Sequence, residues 1–261
     1  MRYCGSKKKF AQEIVPILMG AIKGQDTLFV DMCCGGCSIV SEVPHKNKWA
    51  IDSNKYVIDL WNKLKENVIN GYPCDNIPYE INQEQYNSIK QSYINDDGRW
   101  PNYIIGYVGN ALSYGSSWFN GFAKPNYNKR DKNGNPENHC HEAYNGLMKQ
   151  LKGFKHMETT EFFFGSFVDF TFPEHTVIYV DPPYFETKSY LDDFDHIKFW
   201  NWAREMSSKG HYVYVSEYTA PSDFKCIWQK VKKDGMGSSR TGVSKTRIEK
   251  LFVYNGDICV Q

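Results

Sequence analysis

The chain has 261 residues, of which 41% are hydrophobic and 16% aromatic, enough to form the core of one large or two modest domains. A formal net charge of +1 excludes a basic field over the whole molecule, so any nucleic-acid surface must be a local patch. No apolar stretch approaches the roughly 20 residues of a membrane span and no apolar signal core follows the basic N-terminus, which predicts a cytoplasmic protein.

The first 70 residues alternate between helical and extended patterns. Two segments carry apolar residues every three to four positions, which predicts amphipathic helices, and two short apolar runs predict buried strands. The predicted helices are Phe10 to Ile22 and Lys55 to Ile69, and the predicted strands are Thr27 to Met32 and Lys48 to Ile51.

A glycine-rich loop follows the first predicted strand, in the run Asp31-Met32-Cys33-Cys34-Gly35-Gly36-Cys37-Ser38. Its two glycines permit close approach of the backbone to a ligand, and we expect a helix after the loop that presents free N–H groups. The run is neither a GxxxxGK[ST] phosphate loop nor a complete GxGxxG motif, so alone it is a weak signal. The second strand ends at Asp52, about 20 residues further on, where an acid can bind both hydroxyls of a ribose or cap the next helix.

Three of the eight cysteines lie in this loop with CxxC spacing. A zinc site would need a second ligand pair, for which the candidate is His139-Cys140-His141, and its spacing fits no standard site. The cysteines also show no disulfide framework. We therefore expect small buried thiols and no metal.

The composition shifts towards Asn, Tyr and Gly between about Gly71 and Phe154, with two or three predicted helices and a polar loop from Asn126 to His141. Strands alternating with helices resume afterwards, which predicts an α/β domain with a largely parallel sheet, made of residues 1–70 and 155–261 and interrupted by an insertion, 71–154. The later strands are predicted at Glu161 to Ser166, Thr176 to Val180, His211 to Ser216, Lys225 to Val231 and Lys250 to Tyr254, with a helix at His196 to Ser208.

The tetrapeptide Asp181-Pro182-Pro183-Tyr184 directly follows one of these strands. Neither proline can donate to a sheet ladder, so the strand ends in a rigid loop at its carboxyl end, where open α/β sheets bind ligands. The Asp181 carboxylate and the Pro182 carbonyl are two acceptors, and Tyr184 offers a stacking face. This combination suits an exocyclic amino group on a flat ring, the alternative being a proline-rich turn capped by Asp181.

These motifs occur in the same order in a known family. The run Arg2-Tyr3-x-Gly5-Ser6-Lys7, the glycine-rich loop, Asp52 and the late DPPY motif resemble those of DNA adenine-N6 methyltransferases of the Dam type, especially the small forms of phages and prophages. The small forms also share runs like Ser117 to Ala123 and Val215 to Tyr218. The resemblance covers nearly the whole chain. It departs at Cys33 and Cys37, where the family usually has an aromatic residue and a further glycine.

The resemblance implies a Rossmann-like S-adenosylmethionine-dependent methyltransferase sheet with an inserted, mostly helical target-recognition subdomain. It also implies methyl transfer to adenine N6 in a specific double-stranded DNA sequence after base flipping. Asp181, Pro182 and Tyr184 match the catalytic motif. For Phe167 a core position is the alternative to a cofactor contact. The cofactor residues implied are Tyr3, Lys7, Asp31, Gly35, Gly36, Asp52, Phe167, Asp169 and Asp181.

The family reads DNA with an insertion between the second and third strands, as predicted here. The segment mixes aromatic, amide and cationic side chains, which suits base edges and phosphates, the alternative being a flexible surface loop at 126–138. Trp118, Phe119 and Tyr127 are candidate wedges, and Arg240, Lys245 and Arg247 are candidate phosphate clamps. The predicted DNA contacts are Trp118, Asn120, Lys124, Asn126, Lys129 and Arg130.

Two other functions stay open on the residues alone. One is methylation of another amino group, such as cytosine N4, or an amino group in RNA or protein; the other is a nucleic-acid-binding relative without catalysis. The intact DPPY motif and Asp52 favour the enzyme, and an Asp at the start of the motif favours adenine. We expect a monomer in solution, with a dimer as the alternative.

Overall fold

The computed structural model describes residues 1–130, 134, 136–184, 194–233 and 246–256. Within them, nine strands form a seven-stranded sheet and a separate two-stranded hairpin. In chain order the strands are β1 Phe29–Met32, β2 Lys48–Asp52, β3 Asn126–Arg130, β4 Pro136–Glu137, β5 Thr160–Phe164, β6 Val177–Val180, β7 Tyr212–Glu217, β8 Phe224–Lys233 and β9 Thr246–Tyr254.

The large sheet has the strand order β5-β2-β1-β6-β7-β9-β8. The first five strands of that order pair in parallel, and β9 runs antiparallel to both of its neighbours. In register, Met32 at the end of β1 lies beside Ile51 of β2 and Val180 of β6. The loop after β1, Asp52 and Asp181 therefore meet at one edge of the sheet. The predicted Rossmann-like α/β fold is confirmed.

Helices cover both faces of the sheet because strand side chains alternate between the faces. Val30 and Ile178 belong to a core cluster with Phe199 and Trp202 of one helix, whereas Phe29 and Tyr179 belong to a second cluster on the opposite face. None of the described helices combines the length and apolar composition needed to cross a membrane. The helices are α1 Ala11–Gly20, α2 Lys55–Ile69, α3 Gln83–Asn95, α4 Asn102–Ala111, α5 His139–Gly153 and α6 His196–Ser208.

The inserted segment shares its core with the sheet. Apolar residues of α3, α4 and α5 join the same buried cluster as α1 and α2. At the contact of α4 with α2, a Cβ placed on Gly106 would lie 2.1 Å from the carbonyl oxygen of Tyr56, so only glycine fits. The insertion is thus anchored to the first half of the sheet domain, and its division at residues 71–154 stays a prediction.

Two local predictions are wrong. No helix follows the glycine-rich loop: residues 33–42 form successive turns, because Cys33, Gly35 and Cys37 adopt left-handed φ values of 62°, 44° and 52° that interrupt a helix. The segment from Asn126 to His141 is also not a loop throughout. Its backbone pairs as the β3–β4 hairpin and then enters α5, whose N-cap is Asn138.

Candidate active site

Asp31 organises the turns after β1. Its buried carboxylate accepts a hydrogen bond from the backbone N–H of Val40 at 3.0 Å, and the N–H of Cys34 donates to the carbonyl of Ile51 at 2.9 Å. Burial raises the pKa of the Asp31 carboxyl to about 8, with Asp181 and Asp52 adding to the shift. Asp31 therefore shapes the loop from within the sheet and has little surface to offer a ligand.

The Tyr3 ring lies directly on the glycine-rich loop. A Cβ on Gly35 would lie 2.5 Å from Cε1 of Tyr3, and one on Gly36 would lie 2.6 Å from its Cβ. The loop is also held from α2 and α5: Trp61 Nε1 donates to the Gly35 carbonyl at 2.8 Å, and Gln150 Nε2 donates to the Gly36 carbonyl at 2.9 Å. The two glycines are required for this close packing, and the contact of Gln150 was not predicted.

Asp52 presents a preorganised carboxylate at the end of β2. Oδ2 accepts from the N–H of Gly35 at 2.8 Å and Oδ1 from the N–H of Asn54 at 2.9 Å. The N-cap of α2 is Asn54, whose side chain accepts from Tyr56 and Val57, so the alternative of Asp52 as the helix cap is wrong. Burial raises the pKa of Asp52, opposed by the two backbone hydrogen bonds. Each carboxylate oxygen has a second lone pair, which a ribose hydroxyl could use.

Lys7 and Asp181 form a tight ion pair. Lys7 is 3% exposed, and its Nζ lies 2.8 Å from Oδ1 and 3.0 Å from Oδ2 of Asp181 while donating to the Gly5 carbonyl at 3.1 Å. The contact with Oδ2 has hydrogen-bond geometry, whereas the buried Oδ1 has no hydrogen-bond partner among the described residues. Burial raises the pKa of the Asp181 carboxyl, and the Lys7 ammonium opposes that shift. Oδ1 is therefore an acceptor with capacity for an incoming donor.

Glu249 of β9 completes this group and was not predicted. It is 2% exposed, accepts a hydrogen bond from the Tyr184 hydroxyl at 2.8 Å, and places Oε2 3.7 Å from Lys7 Nζ. Lys7 Nζ in turn lies 4.6 Å from the centroid of the Tyr184 ring. The sequence gives no local signal for Glu249, because the predicted strand begins one residue later, at Lys250, whereas β9 begins at Thr246.

Tyr184 is buried in this conformation. Its ring meets that of Tyr218 edge to face at 4.4 Å between centroids, and its hydroxyl is bound to Glu249. Stacking on a target base would require the ring to expose a face that is covered here. Pro182, the other member of the motif, is also buried.

Phe167 and Asp169 follow β5 as predicted, but they differ in setting. Phe167 packs in the core against Phe194, Phe199 and Trp202. The exposed Asp169 accepts from the backbone N–H of Ser166 at 2.7 Å and closes a local turn. The structure gives each of them a structural role and leaves a cofactor contact as a prediction.

The predicted DNA contacts divide into packed and exposed residues. Trp118 is partly buried between Tyr56 and Tyr93, and Phe119 is buried, which leaves its ring no free face to insert between bases. Asn126 is half-buried and accepts from the N–H of Asn128 at 3.2 Å. The candidates Arg240 and Lys245 and the side chain of Tyr127 lie outside the described residues. The exposed candidates are Asn120, Lys124, Lys129 and Arg130, together with Arg247 near Tyr218.

A cavity of about 380 Å³ lies beside the N-terminal segment. Arg2, Tyr3 and Ser6 line it together with the turn Ser113 to Ser116 and His139. The potential ligand atoms of Glu137, His139 and Glu142 lie within 4.8 Å of one another nearby. The Arg2 guanidinium already pairs with Glu142 and lies 3.4 Å from His139 Nδ1, so a cation occupies this group of side chains. The described cysteines, including the three of the glycine-rich loop, are free thiols.

A comparison with protein-family models indicates the class of enzyme. The family model for D12 class N6 adenine-specific DNA methyltransferases matches residues 3–234. Among solved structures, PH1948 from Pyrococcus horikoshii, provisionally described as an RNA methyltransferase, is 11% identical with a TM-score of 0.40, and the match covers 94% of this chain and 83% of that one. SMU.472, provisionally described as a methyltransferase and solved with SAH, is 10% identical with a TM-score of 0.34, over 97% of this chain and 54% of that one. No curated protein sequence matches the chain.

Proposed function

The chain belongs to the D12 class N6 adenine-specific DNA methyltransferase family, and we propose that Asp181 is the residue that engages the target amino group in its reaction. The enzyme methylates N6 of adenine in DNA, and S-adenosylmethionine is its cofactor. Because the family is specific for adenine N6 in DNA, the methyl acceptor is not cytosine N4 or an amino group in RNA or protein. The observation that supports the role of Asp181 is its carboxylate at the sheet edge: Lys7 Nζ lies 2.8 Å from the buried Oδ1, and no contact of that oxygen with the described residues has hydrogen-bond geometry.

The residues at the edge of the sheet fit the cofactor. S-adenosylmethionine supplies an electrophilic methyl group on a sulfonium. The Asp52 carboxylate is held by two backbone N–H groups, an arrangement suited to adjacent ribose hydroxyls. Tyr3 on Gly35 and Gly36 would line the same cleft. Lys7 was predicted to bind the cofactor, but its ammonium is paired with Asp181, which favours a role in setting the charge of that acid.

Asp181 acts on the amino group by position and charge. The adenine amino nitrogen is a poor nucleophile because its lone pair is delocalised into the ring. Asp181 and the Pro182 carbonyl would accept its two N–H bonds, which favours a pyramidal nitrogen with a localised lone pair. The target adenine must leave the DNA duplex for its amino group to reach these two acceptors. We therefore propose base flipping in double-stranded DNA. Tyr184 would stack on the flipped base after its ring is uncovered.

The hairpin and the preceding turn are the proposed DNA surface. Lys124, Lys129 and Arg130 are exposed and cationic, and Asn120 is exposed beside them in sequence, so phosphates and base edges can both be contacted. Trp118 precedes this surface in sequence and packs against Tyr56, Tyr93 and Phe119. We further propose that the enzyme acts as a monomer without a metal in the cytoplasm of a bacterial or phage-infected cell, where its DNA substrate lies.

Methylome sequencing of DNA from cells that express the chain tests the reaction. We expect N6-methyladenine in one sequence motif, absent with an Asp181→Ala control. Methylcytosine instead would contradict the family's acceptor, and methylation in single-stranded DNA alone would contradict base flipping. Placing 2-aminopurine at the target position tests flipping directly. Its fluorescence should rise on binding, and an unchanged signal with a bound duplex would refute that part of the proposal.

A further inference from the structure

Two of the three predicted wedge residues are packed against other aromatic rings. Trp118 and Phe119 contact each other, and both contact Tyr93 of α3. A base that flips out of a duplex leaves a gap in the stack, and DNA-binding proteins insert side chains between bases to stabilise such distortions. A different aromatic side chain is therefore needed to fill the gap.

Tyr114 offers such a side chain in the turn that follows α4. It is 71% exposed, whereas the nearby Phe119 is 5% exposed. Its backbone is nevertheless firmly held: the N–H of Tyr114 donates to the carbonyl of Gly121 at 2.7 Å, and Ser113 pairs with Phe122 as an antiparallel bridge. A ring on a rigid support loses little conformational freedom when it inserts, so more of its stacking energy contributes to binding.

The backbone of this turn adopts unusual conformations. Ser116 and Phe119 have left-handed φ values of 55° and 45°, close to Gly115 at 65°. Residues other than glycine adopt this region at a cost and keep it only where the surrounding structure imposes it, which is common at binding sites. The shape of the turn is thus imposed by its contacts, as expected for a segment that presents a side chain to a ligand.

Tyr114 also lies near the reaction centre. It lines the cavity of about 380 Å³ together with Tyr3, which lies on the glycine-rich loop, and with Ser6. Ser6 directly precedes Lys7, whose ammonium pairs with Asp181. The cavity volume is in the usual range of small-ligand sites, roughly 300–1,000 Å³, so it has room for a nucleobase.

The same turn adjoins the proposed DNA surface. Gly121, which accepts the hydrogen bond from Tyr114, directly follows the exposed Asn120, and the exposed Lys124 lies two residues beyond Phe122. Tyr114 is therefore next to side chains that can hold the DNA and next to the cavity that leads towards Lys7 and the catalytic loop.

We propose that Tyr114 inserts into the DNA duplex and stacks on the bases beside the gap that the flipped adenine leaves. This inference rests on the proposed base flipping towards Asp181. The inserted ring stabilises the flipped state and so raises the fraction of bound DNA in which the adenine reaches its acceptors. Its contribution comes from the aromatic face, and the hydroxyl is not needed.

The experiment measures the binding of Tyr114→Ala to three DNA duplexes by fluorescence anisotropy. The first contains the recognition motif with 2-aminopurine at the target position, the second has an abasic nucleotide at that position, and the third lacks the motif. We expect about tenfold weaker binding of the first two, because each complex contains a gap that the native ring fills. Binding of the third should be unchanged, because no base leaves its stack.

Two control variants separate stacking from other effects. Tyr114→Phe keeps the ring and should bind all three duplexes like the native protein. Tyr72→Ala removes an equally exposed tyrosine, 70% exposed, that follows α2. The end of α2 lies at the opposite edge of the sheet, since Lys65 pairs with Glu161 near the start of β5, so this variant should also bind like the native protein.

Four results would overturn the inference. Native affinity of Tyr114→Ala for the first two duplexes would show that the ring does not insert, and equal losses on all three would make Tyr114 a general surface contact. A loss confined to the first duplex would show that the ring does not fill the gap, and a loss in Tyr114→Phe as large as in Tyr114→Ala would assign the effect to the hydroxyl.

The proposed function fails by different results. If the native protein binds the first duplex without a rise in 2-aminopurine fluorescence, base flipping is refuted. Normal methyl transfer by Asp181→Ala would refute the role of that acid. A fluorescence rise in the native protein that is equally large in Tyr114→Ala, with unchanged affinity, would overturn only the role of Tyr114.

Discussion

Replacing Asp52 by Asn tests the cofactor site without changing its shape. The carboxylate now accepts from Gly35 N–H at 2.8 Å and Asn54 N–H at 2.9 Å, one bond on each oxygen. An amide has one oxygen, so its NH₂ group must face one of these N–H donors. The unpaired buried N–H should lower the free energy of unfolding by about 1–3 kcal/mol. Losing one charged acceptor for a ribose hydroxyl should cost about 1.5–3 kcal/mol, or roughly 10- to 100-fold in affinity.

The assay is a double-mutant cycle between protein and ligand. Calorimetry measures the binding of S-adenosylhomocysteine and of its 2′,3′-dideoxy analogue to the native protein and to Asp52→Asn. If Asp52 holds the hydroxyls, the substitution weakens the natural ligand far more than the analogue. Asp26→Asn on an exposed turn is the control. Equal losses for both ligands would refute ribose binding and would show that Asp52 acts only by holding the loop at Gly35.

Three other substitutions have expected outcomes. Gly36→Ala should displace Tyr3, because the new Cβ would lie 2.6 Å from the tyrosine Cβ, and calorimetry should show weaker cofactor binding in a folded protein. Lys129→Ala and Arg130→Ala should each reduce the salt dependence of DNA affinity by about one unit of slope, and unchanged slopes would remove these residues from the DNA surface. The pKa of Asp31 is raised from 3.8 to about 8, so the folded state binds the extra proton and its stability falls as pH rises through that window. Asp31→Asn should lose less thermal stability between pH 5 and pH 8 than the native protein does, and equal losses would contradict the burial effect.

Much of the fold could be predicted because its elements carry strong local signals. Helices α2 and α6 have the predicted bounds, since Asn54 and Asp195 cap amphipathic patterns with unambiguous starts. The central strands are short apolar runs, which are typical of a parallel sheet buried on both faces. By contrast, β9 begins at Thr246 rather than Lys250. Two of its first four residues, Arg247 and Glu249, are charged, and this segment is extended because β8 pairs with it, which local sequence does not reveal.

Some residues of the candidate site could be predicted from local sequence, and others could not. The glycine-rich loop, Asp52 and Asp181 could be placed at one sheet edge, because parallel strands end together there. The turns after β1 could not, since left-handed residues such as Cys37 depend on the packing of the loop. Gln150 and Glu249 were also not predicted as parts of the site. Their hydrogen bonds to the Gly36 carbonyl and the Tyr184 hydroxyl depend on how distant elements pack.

Methyl transfer by Asp181→Ala is the most direct test of the central claim. The assay follows tritiated methyl groups from S-adenosylmethionine into a DNA duplex that contains the recognition motif, at saturating cofactor and DNA. Asp181→Ala should fold and retain much of its DNA binding, yet turn over more slowly by orders of magnitude, because the amino nitrogen loses its carboxylate acceptor. Near-normal turnover in that variant would contradict the claim that Asp181 engages the target amino group.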